Sequence, residues 1–246
     1  MITTDMHVHS CFSSDSSEQM ESIIETAIQK GFSYVYFTDH HDQDFPIHPS
    51  APDMDFQLDF KNYITKIQQL REQYRSMIDV RIGVEQGICP ETASKITELS
   101  RQYPFDFIIG SSHLTSLDNG DPYYPEYFEK FSSEEEAIRA YFAETLENLK
   151  CHDDYDVLGH LDYIVRVAPT KDKNYSYDKY KDAIDPILEL LVQQGKGLEL
   201  NTGSFRYGLR QPHPCTDVLR RYHELGGEII TVGTDAHKPQ DVGSYL

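Results

Sequence analysis

The stretch DMHVHS, residues 5–10, sets Asp5, His7 and His9 two residues apart. In an extended strand, residues i and i+2 project to the same face. His7 and His9 would then point together, with Met6 and Val8 turned the other way. A lone HxH fits an exposed polar strand face equally well, so the rest of the chain must decide. Seven of the eleven histidines fall at or just beyond the C-terminal ends of expected strands: His7, His9, His40, His41, His113, His160 and His237. The carboxylates Asp39, Glu85 and Asp235 take equivalent places. Neutral imidazoles and carboxylates are the ligands of Zn²⁺, Mn²⁺ and Fe²⁺. His7 and His9 can grip one ion, Glu85 has two oxygens with which to bridge two ions, and Asp235 and His237 repeat the i, i+2 device. His41 cannot easily share an ion with the adjacent His40, so it is expected behind the ligands or facing a substrate. Of the others, His152 and His223 are expected on helix surfaces and His48 in a proline-containing loop. His213, in QPHP, is read as packing, with a pocket wall as the alternative.

Positioning such a ring of ligands requires many strand ends at one place. The apolar pattern supplies seven strand–helix alternations. MHVHS precedes the helix SSEQMESIIETAIQKG, with Ser16 or Ser17 as its N-cap and Gly31 just past its end. YVYFTDH precedes DFKNYITKIQQLREQYRSM, whose Phe60, Tyr63, Ile64, Ile67, Leu70 and Tyr74 recur at helical spacing. VRIGVEQGI precedes TASKITELSRQY. FDFIIGSSH is followed by the polar, aromatic loop LTSLDNGDPYYPEYFEKF and the helix SSEEEAIRAYFAETLENLK. DVLGHLD leads to YDKYKDAIDPILELLVQQG, in which Pro186 predicts a kink or a late start. KGLELNTGS leads to TDVLRRYHELGG, and EIITVGTDAH is the seventh strand. Repeated β then α argues for a parallel sheet with right-handed crossovers. Seven units favour a closed or nearly closed α/β barrel, in which side chains converge at the C-terminal rim. An open doubly wound sheet is the rival, but no glycine-rich dinucleotide fingerprint or P-loop follows the first strand. Only HKPQDVGSYL follows the last strand, where a barrel would add a helix; a truncated chain or a missing last unit is expected.

Composition narrows the function classes. The 246 residues suit one domain, 1–246, and 39% of them are hydrophobic, enough for a real core. No stretch approaches the roughly 18 apolar residues of a membrane span, and MITTDMHVHS has neither a basic nor an apolar leader region. Cys11, Cys89, Cys151 and Cys215 form no CxxC pair, which fits packing and a reduced, cytoplasmic compartment. A net charge of −19 disfavours nucleic acid as a partner, and bound divalent cations would cancel part of it.

The motifs MHVHS, FTDHH, Glu85 of GVEQG, SSHL, LGHLD and GTDAH, in that order from residue 5 to 237, resemble the PHP (polymerase and histidinol phosphatase) family. Within it, SSHL, LGHLDYIVR and LELNTGSFRYG are most similar to the histidinol-phosphate phosphatases of histidine biosynthesis. The resemblance implies a distorted seven-stranded (β/α) barrel, TIM-barrel-like, with three divalent ions (Zn, Mn or Fe). The first ion would have His7, His9, Glu85 and Asp235; the second, bridging Glu85, His113 and His160; the third, Asp15, His40 and His237. Many relatives have histidine where this chain has Asp15, so a weaker third site is expected, with a loop or N-cap acid as the alternative role. The implied reaction is hydrolysis of L-histidinol phosphate by a hydroxide bridging two ions, with Glu85, Asp235 and His237 at the reacting centre. Arg166 after strand five and Arg206 after strand six have the planar fork that suits phosphate oxygens. The polar loop after SSHL could lie over the substrate's imidazole and ammonium. The expected partner is a small phosphate ester, with no nucleic acid and no membrane. A PHP enzyme for a nucleotide or oligonucleotide ester is the alternative, disfavoured by the acidity and the lack of a basic track. A catalytically idle metal-stabilised module would need about four closed ligands, whereas about ten candidates surround an open rim.

Overall fold

The computed structural model describes residues 2–115 and 120–246. Its strands are Thr4–Val8 (β1), Tyr34–Phe37 (β2), His40–His41 (β3), Asp79–Gly87 (β4), Phe107–Ser111 (β5), Val157–Leu158 (β6), Gly197–Asn201 (β7) and Ile230–Gly233 (β8). All neighbours pair in parallel in the order β1-β2-β4-β5-β6-β7-β8, with β3 added on β4. The ends meet: Val8 bridges Ala236 in parallel, His9 N donates to Ala236 O at 2.8 Å, and Ala236 N donates to His7 O at 3.3 Å. A closed rim of this kind overturns the open-sheet rival. Asp5 reinforces the closure, accepting from Thr234 N (3.0 Å), Thr234 Oγ1 (2.5 Å) and Gly243 N (2.9 Å).

One expected strand is in fact two. YVYFTDH pairs with both β1 and β4 as far as Phe37, then resumes on β4 alone at His40. The interruption at Thr38–Asp39 is held by Tyr63, whose hydroxyl donates to Gly83 O at 3.0 Å and lies 3.4 Å from Asp39 N. After the break the chain pairs on β4 alone, which sets His40 beside Glu85 at the rim.

The helices are Met20–Gln29 (α1), Phe60–Tyr74 (α2), Ala93–Gln102 (α3), Pro125–Glu129 (α4), Glu134–Cys151 (α5), Ile164–Val167 (α6), Tyr177–Gln194 (α7) and Thr216–Glu224 (α8). Their apolar stripes cover the barrel in two groups. Residues of α1 and α2 pack with Val35, Val80 and Val84, and residues of α5, α7 and α8 pack with Leu158 and Leu198. Asp59 caps α2, Ser133 caps α5 and Ser176 caps α7, each accepting from a backbone N–H three residues on. Ser16 and Ser17 are not the caps of α1: that helix begins three residues later than expected from Ser16, with Gln19 at its N-cap position. Ser16 instead donates to His237 O at 3.0 Å, tying the SSDSSE segment to the rim. Gly31, just past α1, has φ +77°, the left-handed conformation that glycine adopts freely. Helix α7 does not start late; it runs from Tyr177 straight through Pro186. The carbonyl that proline leaves without a helical partner belongs to Asp182, an exposed residue, so water can satisfy it. After β8 the chain turns through one 3₁₀ turn, Pro239–Asp241. Among the described residues, no helix is long and apolar enough to cross a membrane.

Candidate metal centre

Glu85, on β4, stands at the middle of the rim with no exposed surface. Its Oε2 lies 3.0 Å from His40 Nδ1, 3.1 Å from His7 Nε2 and 3.3 Å from His9 Nε2. Its Oε1 lies 2.7 Å from His160 Nε2 and 3.1 Å from His113 Nε2, and accepts from Ser111 Oγ at 2.8 Å. The two oxygens thus address two different sets of imidazoles. Asp235 Oδ1 approaches His9 Nε2 (3.3 Å), His237 Nδ1 (3.6 Å) and His7 Nε2 (3.7 Å). Asp15 Oδ2 approaches His237 Nε2 (3.0 Å) and His40 Nε2 (3.5 Å).

These separations suit metal ligation. Donor atoms about 2.0–2.2 Å from a common ion stand about 3–3.5 Å from one another. Ligand atoms of His7, His9, Glu85 and Asp235 all lie within 4.8 Å of each other, as do those of Glu85, His113 and His160, and those of His9, His40 and His237. Glu85 Oε2 and Asp42 Oδ2 are buried without a formed hydrogen bond. Nitrogen lone pairs and carboxylates packed this densely repel one another unless cations sit between them, so the donor set fits a multinuclear centre. The expected first and second sets are brought together as read. Asp15 faces His40 and His237 as read, while those two histidines also crowd His9, their rings 4.2 and 4.1 Å from its ring.

The electrostatics hold the two carboxylates, His9 and His160 in their ligand forms, while the carboxylates around them raise His7, His40, His113 and His237 against the opposing effect of burial. Burial alone would push Glu85 up, but His7, His40 and His113 outweigh it and hold its carboxyl well below the usual range. Burial likewise opposes, and His9, His7 and Arg166 reverse, the shift of Asp235, which is also held well below. Burial depresses His9, aided by the charges of His237 and His40, and it depresses His160 against the opposing pull of Glu85, leaving both imidazoles neutral donors. His113 is disfavoured as a cation by burial, yet Asp42 and Glu85 raise it to about 10.

Three carboxylates that the sequence reading missed or misplaced aim the ligands. Glu199, in the middle of apolar GLELN, is buried; its Oε1 lies 2.6 Å from His7 Nδ1 and its Oε2 accepts from His160 N at 2.8 Å. A carboxylate on the far nitrogen fixes which imidazole nitrogen faces the ion. An acid inside an apolar strand was the available signal. Asp42 does the same for His113, with Oδ1 2.8 Å from Nδ1. Glycine at 87 admits it: a Cβ there would lie 1.9 Å from Asp42 Oδ1. Asp39 was expected among the rim carboxylates with ligand potential. It is instead fully engaged, accepting from Ser10 N (2.7 Å), Ser13 N (3.1 Å) and both serine hydroxyls. Ser13 Oγ in turn meets His9 Nδ1 at 3.1 Å, so Asp39 anchors the loop that orients His9.

A cavity of about 680 Å³ opens above the centre, lined in part by Asp15, His40, Arg166, Arg206, Asp235 and His237. Arg166 Nη1 donates to Asp235 Oδ2 at 3.1 Å, and its guanidinium is flanked by the rings of Tyr163 and Tyr207, each 4.4 Å away. Arg206 Nη2 donates to Asp235 O at 2.6 Å. His41 is corrected: it is buried beside Phe60, its Nδ1 accepts from Leu58 N at 3.1 Å, and it is not part of the cavity wall. The residue after it, Asp42, faces the cavity instead, because successive strand residues alternate. His152 is not on the surface; it is buried behind α5, with Nε2 2.8 Å from Cys89 O. His213 is buried against Asp162 and lines a separate recess of about 320 Å³, so both readings of it hold in part. Of the polar loop after SSHL, Asp121, Tyr123 and Tyr124 line the main cavity, while residues 116–119 lie outside the described residues.

Comparison with known proteins agrees with this geometry. The PHP domain model matches residues 5–203. A histidinol-phosphatase of Lactococcus lactis subsp. lactis is 34% identical, over 95% of this chain and 83% of its own length. A probable histidinol-phosphatase of Clostridium acetobutylicum is 31% identical, over 97% of this chain and 88% of its own. The crystal structure of the Lactococcus lactis histidinol phosphate phosphatase, complexed with zinc, L-histidinol and phosphate, superposes with a TM-score of 0.85 at 33% identity, covering 96% of this chain and 87% of that one.

Proposed function

This chain belongs to the PHP family, and from that premise we propose that it is a histidinol-phosphatase. It is a metal-dependent phosphomonoesterase, the barrel of residues 1–246 is its catalytic unit, and water and L-histidinol phosphate yield L-histidinol and inorganic phosphate. The observation that carries this reading is the convergence of two guanidinium groups on one ligand residue. Arg166 bonds the Asp235 side chain and Arg206 its carbonyl, while Asp235 itself belongs to the histidine cluster. A phosphoryl group held by these forks is held against the metal centre.

His7, His9, Glu85 and Asp235 would hold one ion, Glu85, His113 and His160 a second, and Asp15, His40 and His237 a third, of zinc, manganese or iron. Such ions supply an acidified water at neutral pH and positive charge for the phosphoryl oxygens. The residues do the rest. Glu85 ties two ligand sets into one rigid unit. Glu199, Asp42 and Ser13 hold the imidazoles in their ligating orientation. Arg166 is pre-aimed by Tyr163 and Tyr207, which limits the entropy lost on binding phosphate. Burial of the cluster lowers the local dielectric and strengthens each of these interactions. The setting is a cytoplasmic biosynthetic enzyme with a small-molecule substrate.

Phosphate release from histidinol phosphate, mononucleotides, a single-stranded oligonucleotide and an aryl phosphate, with metal analysis of the same preparation, tests the reading. Histidinol phosphate should be preferred. Arg166→Ala or Arg206→Ala should each remove charge-assisted hydrogen bonds worth about 1.5–3 kcal/mol, or roughly one to two powers of ten in kcat/KM, with metal content unchanged. Lysine should restore only part, keeping the charge but losing the fork. Robust oligonucleotide cleavage without histidinol phosphate turnover would transfer the chain to the alternative PHP activity.

A further inference from the structure

The lysine and arginine side chains of the cavity stand on one side of it, where Asp235 and Asp241 accompany them. The cations on its wall, Arg166, Arg206 and Lys238, all enter after β6, β7 and β8. The adjoining stretch of the strand order contributes Asp42 after β3 and Asp121 after β5. Asp42 is committed to His113. Among the described residues Asp121 is not committed: its side chain accepts the nearby N–H of Tyr123, at 2.7 Å, and stands in no ion pair with lysine or arginine. It nevertheless lines the cavity together with the phenol rings of Tyr123 and Tyr124. Burial pushes its carboxyl up to about 6, with His113 and Asp42 as charged neighbours pulling in opposite directions. A carboxylate withdrawn from water and left without a counter-ion is stabilised by any cation that enters.

Resting on the reading above, we propose that Asp121 is the specificity residue that receives the ammonium of a phosphorylated amino alcohol. With the phosphate end held by Arg166 and Arg206, the substituent on the carbon next to the ester carbon has the part of the same cavity wall that carries Asp121 and the tyrosines within the site it occupies. A primary ammonium there exchanges water for a charge-assisted hydrogen bond to the carboxylate, and the tyrosine faces suit a cation or a planar ring beside it. A phosphate ester with a hydroxyl in that place brings no charge, and the carboxylate remains uncompensated. Discrimination by a group left unpaired is larger than discrimination by size alone.

The test compares wild type with Asp121→Asn on three esters: histidinol phosphate, phosphoethanolamine, which has the ammonium but no imidazole, and glycerol phosphate, which has neither. The quantity read is the ratio of kcat/KM for each amine-bearing ester to that for glycerol phosphate. Asp121→Asn should lower both ratios roughly ten- to hundredfold, mostly through KM, and Asp121→Glu should recover part of the loss. Metal content measured on each variant separates this from damage to the centre. Equal losses on all three esters, or unchanged ratios, overturn the assignment. A ratio that falls for histidinol phosphate but not for phosphoethanolamine also overturns it, placing the imidazole at Asp121. A wild-type chain that ignores histidinol phosphate sinks the proposed substrate instead, and the phosphoethanolamine ratio still judges Asp121.

Discussion

Glu85 makes contact through both carboxylate oxygens with five histidines from four different segments: His7, His9, His40, His113 and His160. Among the described residues, no other carboxylate of the site approaches as many histidines; Asp235 approaches three. Glu85→Ala should therefore abolish hydrolysis and lower the bound metal by more than one equivalent, as measured by elemental analysis of the purified variant. Retention of full metal and full activity would show that the two oxygens serve hydrogen bonding alone. Glu199 and Asp42 act one layer out, each on the far nitrogen of a histidine. Losing such a partner typically costs ten- to hundredfold in metal affinity or activity. The ligand histidines were legible because they cluster at strand ends. Glu199 was not, because an acid inside GLELN has no chemistry until its neighbour across the barrel is known.

At the scale of elements, the site depends on how closely the strands approach. Gly233 ends β8, and a Cβ there would lie 2.4 Å from His7 Cβ and 2.7 Å from Glu199 Oε1. The first contact is too short for any rotamer change to relieve, since its partner is a β-carbon next to the backbone; the second falls on the carboxylate oxygen that meets His7 Nδ1. Gly233→Ala should separate β8 from β1 and displace His7. It should cost about 1–3 kcal/mol of stability, the usual range for overpacking, and a larger fraction of activity than of secondary structure. Parallel measurement of circular dichroism, thermal unfolding and phosphate release decides this; a variant with wild-type activity would show that the rim tolerates the shift. The break between β2 and β3 belongs to the same scale. It was hidden in YVYFTDH because both halves pair with the same strand, β4, and only the loss of pairing with β1 after Phe37 separates them.

For the whole molecule, barrel closure and the metal centre are one structure. The segment that closes the ring, Thr234–His237, carries Asp235 and His237. Ligands drawn from both ends of the chain mean that ions bind the folded state and not the unfolded one. Stability then rises by RT ln(1 + [metal]/Kd), about 4 kcal/mol at a thousandfold excess over Kd. For a chain of this size, each kcal/mol shifts Tm by roughly 2–4 °C. Chelator treatment should lower Tm on the order of 10 °C and abolish activity, and both should return on adding back zinc or manganese. Loss of activity with an unmoved Tm would separate the centre from the closure.

From the sequence alone, the seven-unit parallel barrel and its ring of histidines and carboxylates could be read. Periodicity reports which faces are buried, and the strand ends follow from it. Ligand chemistry is carried by residue type, so His7, His9, Glu85, His113, His160 and Asp235 stood out before any fold was known. Asp15 could be placed with His40 and His237 only by resemblance, and the structure brings the three together. What the tertiary structure decided was which polar residues face the cavity and which brace it. Asp39 and His41 have the right chemistry and lie beside a ligand, yet turn into the protein, while Asp42 turns out of it. Charge and hydrogen bonding are satisfied by partners far away in the chain, 26 residues apart for Ser13 and Asp39 and 192 for His7 and Glu199 among them. Local pattern contains no information at that range; only the closed barrel brings those atoms within hydrogen-bond distance.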